Sequence, residues 1–469
     1  MKKIPPKHMR NFKHKLVTRR DFLASGLLSF GAIAALPYFG GMGRSWAAGQ
    51  SCGGPQAGTS LPFLAFDMAG GGSLPGNFLV GKRGGAQDLL TSYATLGWNP
   101  KESGALNMDF GLPMSAKYSQ LLQGILQTAS AGARANLRMG SFCHVSAFDT
   151  TSNPLNAGIL VLKSGSRGAY ISNGLGLENS LSGGNSAAAG ESPLYKPVAV
   201  NSVDTILGST SYGGAAFAEA GIERVKAMAE GAQDLGRIQS DMFAKRPGGP
   251  ALADASVCAY GKSLEFISGV QGLDPRLDPI AQAVYQIAQN TSASDMNAVA
   301  AGLTMNAIDG FSGPATWVLG GCDYHDGGYS TGDAKDLEIG QQIGRAVEFA
   351  FRRGRPLFFQ LLTDGGNSSG DNTRDWVADS GERTMTVIGY FDPKGPAKMI
   401  REQVGQYTNG EGADTTSLIG NDPALVAHAV FANYLNLSGR LGEFATYAPG
   451  VFANPGQLES VLIFEGKVS

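Results

Sequence analysis

The chain has 469 residues, of which 43% are hydrophobic and 16% charged, and its formal net charge is −2. Nine of the 37 Lys and Arg residues but only one of the 39 Asp and Glu residues lie in residues 1–47, so residues 48–469 carry a net charge of −10. This acidity argues against nucleic acid and anionic lipid surfaces as partners. The 67 glycines follow no strict period, which excludes a fibrous fold and predicts many loops.

The N-terminus carries an export signal. Residues 18–23 (Thr-Arg-Arg-Asp-Phe-Leu) lie between a basic segment and an apolar run, a pattern typical of a twin-arginine signal. The apolar run 22–40 is nearly long enough to span a membrane, but two glycines and a proline interrupt it. Small residues at Ser45 and Ala47 predict cleavage after Ala47. We therefore predict a periplasmic or exported protein of residues 48–469, carried by the twin-arginine export machinery, without a stable membrane span after cleavage.

Cysteine usage leaves the disulfide framework open. Cys52, Cys143, Cys258 and Cys322 would all meet an oxidising compartment after export, so none to two disulfides are compatible with the sequence. Three pairings exist if all four cysteines join. Their spacing matches neither a zinc ribbon nor a C-x-x-C redox site, and none is followed by the Pro and Arg that mark the modified cysteine of sulfatases.

Short apolar runs and helical periodicities alternate along the first two thirds of the chain. Residues 61–66 predict a buried strand, residues 116–131 a helix and residues 136–143 a second strand. Residues 164–192 are rich in Gly, Ser and Asn and predict a long surface excursion. The mostly helical pattern of residues 214–309 predicts a helical insertion or cap.

The last third is the most regular. Strands are predicted over 315–319 and 356–362, and the helix between them is expected to start near Asp333, with Asp336 in its first turn, and to end at Gly354.

A further strand is predicted over 384–391, and Asp422 followed by Pro423 predicts the start of a helix over 424–437. The alternation of strands and helices predicts an α/β fold, with a mainly parallel sheet and helices on both faces.

Polar side chains end four of the predicted strands. They are Asp67 with Ser73, His144 with Ser146, Asp323 with His325, and Thr363 with Asp364. Sites in open parallel sheets form at the carboxyl ends of strands, so we expect these side chains along one edge. Carboxylate oxygens and an imidazole nitrogen suit a divalent metal such as Zn²⁺, Mn²⁺ or Mg²⁺. Such a metal would polarise a phosphoryl or similar oxyanion and lower the pKa of a hydroxyl or water.

Each of these features also has a purely structural interpretation. An Asp after a strand commonly caps a turn. Residues 70–73 (Gly-Gly-Gly-Ser) can cradle an anion with backbone N–H groups, but glycine clusters more often only turn the chain. Asp323 and His325, two residues apart after a strand, either face one centre or belong to turn chemistry. His428 lies among apolar residues of the last predicted helix and is expected to be a packed core histidine.

The order of these motifs resembles a twin-arginine-exported family of unknown function in the alkaline phosphatase/sulfatase-like superfamily. The matching segments are 70–73, 142–146 (Phe-Cys-His-Val-Ser), 320–325 (Gly-Gly-Cys-Asp-Tyr-His, resembling Gly-Gly-Trp-Asp-Thr-His), 363–366 (Thr-Asp-Gly-Gly, resembling Thr-Glu-Phe-Gly), 422–437 and 444–450. The resemblance implies an alkaline-phosphatase-like fold and metal-dependent hydrolysis of phosphate or sulfate esters. In this hypothesis the metal is held by Asp67, Asp323, His325 and Asp364, while Ser73 is a nucleophile or anion contact and His144 an acid/base or substrate contact.

The departures from that family favour a rival hypothesis. The family usually carries Asp-His-Gly after its Thr-Glu-Phe-Gly segment, and the nearest equivalent here is Asp379-Ser380-Gly381, with Ser in place of His. Only three histidines follow residue 47, so a single metal, or a site that has lost its chemistry, fits better than two metals. The rival is a non-catalytic exported protein that uses the scaffold for envelope assembly, secretion or glycan binding.

A third hypothesis is a metal-free Ser-His-Asp esterase. Residues 366–370 (Gly-Asn-Ser-Ser-Gly) form a G-x-S-x-G string around Ser368. A nucleophile elbow turns directly from strand into helix, whereas this segment predicts an extended loop. Ser368 is therefore a minor candidate, kept because triads are recognised by geometry.

Overall fold

The computed structural model describes most of the chain after residue 59. The described ranges are 60–85, 88–98, 106–146, 156–166, 168–174, 195–210, 273–370, 373–377 and 383–466, with helical positions at 227, 231 and 234. Residues 55–210 and 272–469 form one compact unit, and a second unit is assigned to residues 1–54 and 211–271. The signal sequence, Cys52, Cys258, Asp379 and Ser380 lie outside the described residues.

An eight-stranded sheet forms the centre of the larger unit. The strands of the described chain are β1 (Phe63–Met68), β2 (Leu106–Asn107), β3 (Met114–Ser115), β4 (Leu137–Val145), β5 (Ile171–Ser172), β6 (Val198–Ala199), β7 (Ala315–Leu319), β8 (Leu357–Thr363), β9 (Ser368–Ser369), β10 (Trp376–Val377), β11 (Arg383–Phe391) and β12 (Gln403–Val404). The sheet has the order β12-β4-β11-β8-β1-β7-β5-β6, and β2 pairs with β3 and β9 with β10 outside it. Only β11 runs antiparallel to its neighbours within this sheet. Strands β1, β4, β7 and β8 therefore end at the same edge.

Helices cover both faces of the sheet. They are α1 (Gln120–Thr128), α2 (Ala131–Ala135), α3 (Gly158–Lys163), α4 (Val203–Thr210), α5 (Pro279–Tyr285), α6 (Met296–Asp309), α7 (Tyr324–Arg353), α8 (Pro423–Leu437), α9 (Phe444–Tyr447) and α10 (Pro455–Ser460). Among the helices that the structure describes, none is both long and apolar enough to cross a membrane.

Side-chain alternation along β1 explains the two-faced core. Leu64, Phe66 and Met68 belong to an apolar cluster that includes residues of α1 and α5–α7, whereas Phe63 and Ala65 belong to a cluster that includes residues of α3 and α8. Successive side chains of a strand point to opposite faces, so a strand buried on both faces reads as a continuous apolar run. The predicted α/β class, with a mainly parallel sheet covered on both faces, is confirmed, and the layout is consistent with an alkaline-phosphatase-like arrangement.

The predicted insertion is described only in part. Helices α5 and α6 lie in the C-terminal portion of the predicted segment 214–309, and they belong to the same compact unit as the sheet. An insertion stays a prediction for residues 214–271.

Helix α8 begins as the sequence predicts. The Asp422 side chain accepts a hydrogen bond from the Ala424 amide at 2.9 Å, and Pro423 occupies the first helical position. The cap satisfies an amide that has no partner within the helix, which is why this start is readable from sequence.

Helix α7 departs from the prediction. It begins at Tyr324, with Asp323 at the N-cap position, and Gly328 interrupts it with φ 66° and ψ −167°. An uninterrupted helix would separate Tyr324 from Asp336 by about 18 Å, yet the Tyr324 hydroxyl donates to Asp336 Oδ1 at 2.6 Å. The turn before Gly328 is therefore folded back against the rest of the helix. The expected start near Asp333 is wrong, because the break at Gly328 conceals the first turn from any periodic pattern.

Candidate functional site

The adjacent strands β8, β1 and β7 bring three predicted site residues to one edge of the sheet. Asp67 lies on β1, opposite Leu362 of β8 and Val318 of β7. Asp364 directly follows β8, and Asp323 immediately precedes α7. Asp67, Asp364 and Asp323 therefore lie at the edge where these parallel strands end.

The carboxylates of Asp364 and Asp323 both lie next to Gly70. Its amide donates to Asp364 Oδ1 at 3.0 Å. A Cβ added to it would lie 2.8 Å from Asp323 Oδ2, and its φ of 117° is in the left-handed region. Both the backbone conformation and the close approach of Asp323 require glycine here. Asp323 and Asp364 therefore both approach the backbone of Gly70.

Asp67 is buried beside a like charge. Burial raises the pKa of Asp67 well above its ordinary value, and the negative charge of Asp364 raises it further. Its Oδ1 is buried and has no hydrogen-bond partner among the described residues. Two buried acids that repel each other are stabilised by a proton or by a bound cation. Burial and the charge of Asp364 therefore both favour the protonated form of Asp67, whereas a bound cation would favour the ionised form.

Two amides of the glycine loop bond to the segment that ends β8. The Gly72 amide donates to Thr363 Oγ1 at 2.8 Å, and that hydroxyl donates to the Met68 carbonyl at 3.0 Å. The Gly70 and Gly72 amides both bond to side chains of the segment that ends β8, so these two amides are not available to an anion. Thr363 joins β8 to the loop that follows β1.

Ser73 carries a buried hydroxyl at the end of this loop. Ser73 is 1% exposed, and its Oγ has no hydrogen-bond partner among the described residues. It precedes the 3₁₀ turn Leu74–Gly76 without a side-chain capping bond. A Cβ added to Gly76 would lie 3.5 Å from Ser73 Oγ and 2.9 Å from the Trp376 ring. Buried hydroxyls are usually hydrogen-bonded. Because the Ser73 hydroxyl has no such bond among the described residues, it can form one with a ligand.

His144 is not brought to the cluster around Asp67. Its strand β4 is separated from β1 by β11 and β8, three spacings of about 4.8 Å each. The ring is fully buried, with Nδ1 2.5 Å from the Val145 carbonyl and Nε2 3.1 Å from Thr386 Oγ1. Burial lowers the pKa of His144 to about 4, although the Val145 hydrogen bond opposes this. The imidazole is therefore neutral at pH 7 and held within the sheet. Ser146, which directly follows β4, is also buried.

The remaining predicted residues fall at separate places. His325 is half-buried in the first turn of α7, two residues after Asp323. Ser368 lies on β9 and pairs with Val377 of β10. The segment is thus an extended hairpin strand and not a nucleophile elbow, as the sequence indicates.

The other histidine and the described cysteines are structural. His428 Nδ1 lies 2.8 Å from a carbonyl one turn earlier in α8, and burial lowers its pKa. Cys143 and Cys322 are buried free thiols, so no disulfide joins these two. Burial raises the pKa of both thiols, which keeps them protonated and unreactive.

The geometry of the acids limits which metal fits. Within the described residues, no three His, Cys, Asp or Glu side chains are grouped closely enough to hold a metal ion. Zn²⁺ needs three or four protein ligands, whereas Mg²⁺ is commonly held by one or two carboxylates and keeps several waters. The pair Asp67 and Asp364, with the buried oxygen of Asp67 lacking a hydrogen bond, suits Mg²⁺ or Mn²⁺ better than Zn²⁺.

A second buried acid lies on α7 and was not among the predicted site residues. Asp336 accepts hydrogen bonds from the Tyr324 hydroxyl at 2.6 Å and from Asn77 Nδ2 at 2.8 Å, and Arg374 Nη2 is 4.0 Å from its Oδ2. Burial raises the pKa of Asp336 to about 6, while these three partners act in the opposite direction. Asp336 is therefore an ionisable group inside the protein, next to the turn that carries Asp323.

A sequence signal for this residue exists. Asp336 precedes Ile339, Ile343 and Val347 by three, seven and eleven residues, which places it on the apolar stripe of the helix. An acid on such a stripe is buried and needs partners. The expectation that Asp336 lies in the first helical turn is wrong, because α7 begins at Tyr324, twelve residues earlier.

Comparison of the chain with protein-family models, with curated proteins and with solved structures found no match. The family resemblance of the motifs stays a prediction.

Proposed function

We propose that the protein is an exported, metal-dependent hydrolase of phosphate or sulfate esters whose cation is held by Asp67 and Asp364. The observation that supports this best is a buried oxygen of Asp67 that has no hydrogen bond among the described residues and lies beside a second acid. Export rests on the twin-arginine pattern at residues 18–23.

A divalent cation that prefers oxygen ligands fits these residues. Asp67 and Asp364 would supply two carboxylates, and Asp323 lies against Gly70, whose amide is bonded to Asp364. When bound, such a cation supplies positive charge that polarises an ester oxygen and lowers the pKa of a hydroxyl or water.

The chain's own residues supply the other requirements. Ser73 offers a buried hydroxyl without a competing hydrogen bond among the described residues, which suits either attack on the ester or contact with its oxygens. Thr363 holds the glycine loop against the end of β8 through the Gly72 amide. The burial of Asp67 and Ser73 keeps water away from the reacting groups, which strengthens electrostatic interactions there.

A second candidate is a non-catalytic exported binding protein on the same scaffold. The position of His144 favours it, because both ring nitrogens already have partners and the ring is neutral at pH 7. A hydrolase would then lack its predicted acid/base. This candidate predicts cation or anion binding at the strand ends without turnover.

Ester turnover decides between the two candidates. Mature protein of residues 48–469 is assayed with p-nitrophenyl phosphate and p-nitrophenyl sulfate, with Mg²⁺, with Mn²⁺ and with chelator. We expect turnover that requires the cation and is lost in the Asp67→Asn/Asp364→Asn double variant. Asp309→Asn is the matched control, since Asp309 is another acid whose pKa burial raises and it pairs with Arg353 on a different helix. Cation binding without turnover on either ester would favour the binding protein.

A further inference from the structure

We propose that Tyr324, Asp336 and Arg374 are positioning residues that fix the two walls of the strand-end site relative to each other. One wall is the glycine loop (69–77), which carries Ser73. The other is the hinged turn (323–327), which carries Asp323 and His325. The effect of this positioning on a metal site rests on the proposed function, whereas the positioning itself rests on the contacts described next.

The hinged turn is held by Tyr324. Gly328 breaks α7 with a positive φ of 66°, which lets the turn fold back on the helix. The Tyr324 ring then packs on Gly332, where a Cβ would lie 2.9 Å from Tyr324 Cδ2. Tyr324 is fully buried, and its hydroxyl bonds to Asp336. Because Asp323 and His325 are its neighbours in sequence, the position of this ring sets theirs.

The same carboxylate reaches the glycine loop. Asp336 Oδ2 accepts from Asn77, which directly follows the 3₁₀ turn after Ser73. Asn77 Oδ1 in turn accepts from Ser119 Oγ at 2.9 Å. A single buried acid thus joins Tyr324 to Asn77, two residues far apart in the chain, through one oxygen each.

Arg374 supplies the balancing charge from a third segment. Its Nη1 donates to the Gly76 carbonyl at 3.1 Å, and its Nη2 donates to Asp333 at 2.7 Å. The guanidinium also lies over the Trp376 ring, 5.4 Å from the centroid. Arg374 therefore contacts the glycine loop directly and the body of α7 through Asp333, while its charge offsets Asp336. Removing any member leaves a buried polar group without its partner, which is costly.

The test removes one hydroxyl and uses a matched tyrosine as control. Tyr324→Phe deletes the bond to Asp336, and Tyr285→Phe deletes an equivalent bond, because Tyr285 is also buried and donates to Thr304 Oγ1 at 2.7 Å. Amide hydrogen exchange is measured for residues 322–328, and Mn²⁺ affinity by calorimetry. We expect Tyr324→Phe to speed exchange in this segment and to weaken Mn²⁺ binding, each by about tenfold. Tyr285→Phe should change neither.

A second variant distinguishes a local loss of positioning from a general loss of folding. Asp336→Asn keeps the side-chain shape, and it should speed exchange over the same residues. The double variant Tyr324→Phe/Asp336→Asn should be no worse than the more affected single variant, because both remove one shared interaction. Equal exchange at residues 322–328 in Tyr324→Phe and Tyr285→Phe would overturn the proposal. If the wild-type protein binds no Mn²⁺ but exchange at residues 322–328 still differs between Tyr324→Phe and Tyr285→Phe, the proposed function is refuted and the positioning role of Tyr324 stands.

Discussion

Asp67 and Asp336 are two buried acids on neighbouring elements, and they differ in what surrounds them. Asp336 has a tyrosine, an asparagine and an arginine as partners, and its pKa rises only to about 6. Asp67 has a second acid beside it and an oxygen without a hydrogen bond among the described residues, and its pKa rises well above the ordinary value. The first acid is built into the fold by its neighbours. Asp67 has a buried oxygen that no described residue satisfies, and a bound cation would supply the missing partner.

The largest expected effect is the loss of the partnered acid. Asp336→Ala should lower the free energy of unfolding by about 4 kcal/mol, because it leaves the Tyr324 hydroxyl and the Asn77 amide without their acceptor and removes a negative charge near Arg374. Asp67→Ala, measured by urea denaturation in the same chelating buffer at pH 7, should cost far less, since it also removes repulsion with Asp364. Equal losses for the two variants would remove the distinction between these acids.

The pH dependence of stability sharpens the contrast. The native pKa of Asp336, about 6, lies above the ordinary 3.8, so between these values the native state holds a proton that the unfolded chain has released. Stability should therefore fall as pH rises from about 4 to about 6, by up to about 3 kcal/mol, and then level off.

Asp336→Asn provides the reference for that measurement. This component is missing in the variant, so the difference between the two unfolding curves isolates it. His144 acts in the opposite direction, since its pKa of about 4 lies below the ordinary 6.5 and stability rises with pH across that window. Its effect is common to both proteins and cancels. Parallel pH profiles for wild type and Asp336→Asn would contradict the assignment.

Neutralising Asp67 should increase the free energy of unfolding, whereas the loss of Asp336 should decrease it. Asp67→Asn should raise the free energy of unfolding by about 1 kcal/mol in chelator at pH 7, because it removes a buried ionisable group beside Asp364. Excess Mg²⁺ should stabilise wild type and leave the variant unchanged, since a ligand stabilises only the state that binds it. Destabilisation by Asp67→Asn in chelator would count against the site.

The smallest effect compares two buried serines. Ser73→Ala should change stability by less than about 0.5 kcal/mol, because its hydroxyl has no hydrogen bond among the described residues to lose. Ser119→Ala should cost about 1 kcal/mol, since Ser119 Oγ bonds to Asn77 and caps α1 through the Leu122 amide. Thermal unfolding of the two variants checks this, and a larger loss for Ser73→Ala would mean that its hydroxyl has a structural role.

Local features of the sequence predicted the strand ends well. The apolar runs of β1, β7 and β8 stop at polar residues, and a sheet of parallel strands necessarily brings these ends to one edge. The Asp422-Pro423 start of α8 was equally readable, because a cap and a proline at the first position act within a few residues. The ends of β1, β7 and β8 place all three acids of the candidate site.

Features that depend on long-range contacts were not predictable. In the observed strand order, β11 and β8 lie between the strand of His144 and β1, and neither this order nor the reversed direction of β11 is encoded in a periodic pattern. The partners of Asp336 lie at residues 77 and 374, far from it in the chain. The hinged turn depends on the positive φ of Gly328, which the neighbouring residues in the sequence do not predict. Such contacts become visible only once the sheet is assembled.

The measurement that tests the central claim most directly is a calorimetric titration of metal-free protein with Mg²⁺ and Mn²⁺, in two buffers that differ in ionisation enthalpy. We predict about one ion per chain, with proton release on binding, because burial and Asp364 raise the pKa of Asp67 and the carboxyl must be ionised to bind the cation. Both signals should disappear in Asp67→Asn and persist in Asp309→Asn. A well-folded wild-type protein that binds neither ion, or binding that survives Asp67→Asn, would contradict a metal site at the ends of β1 and β8.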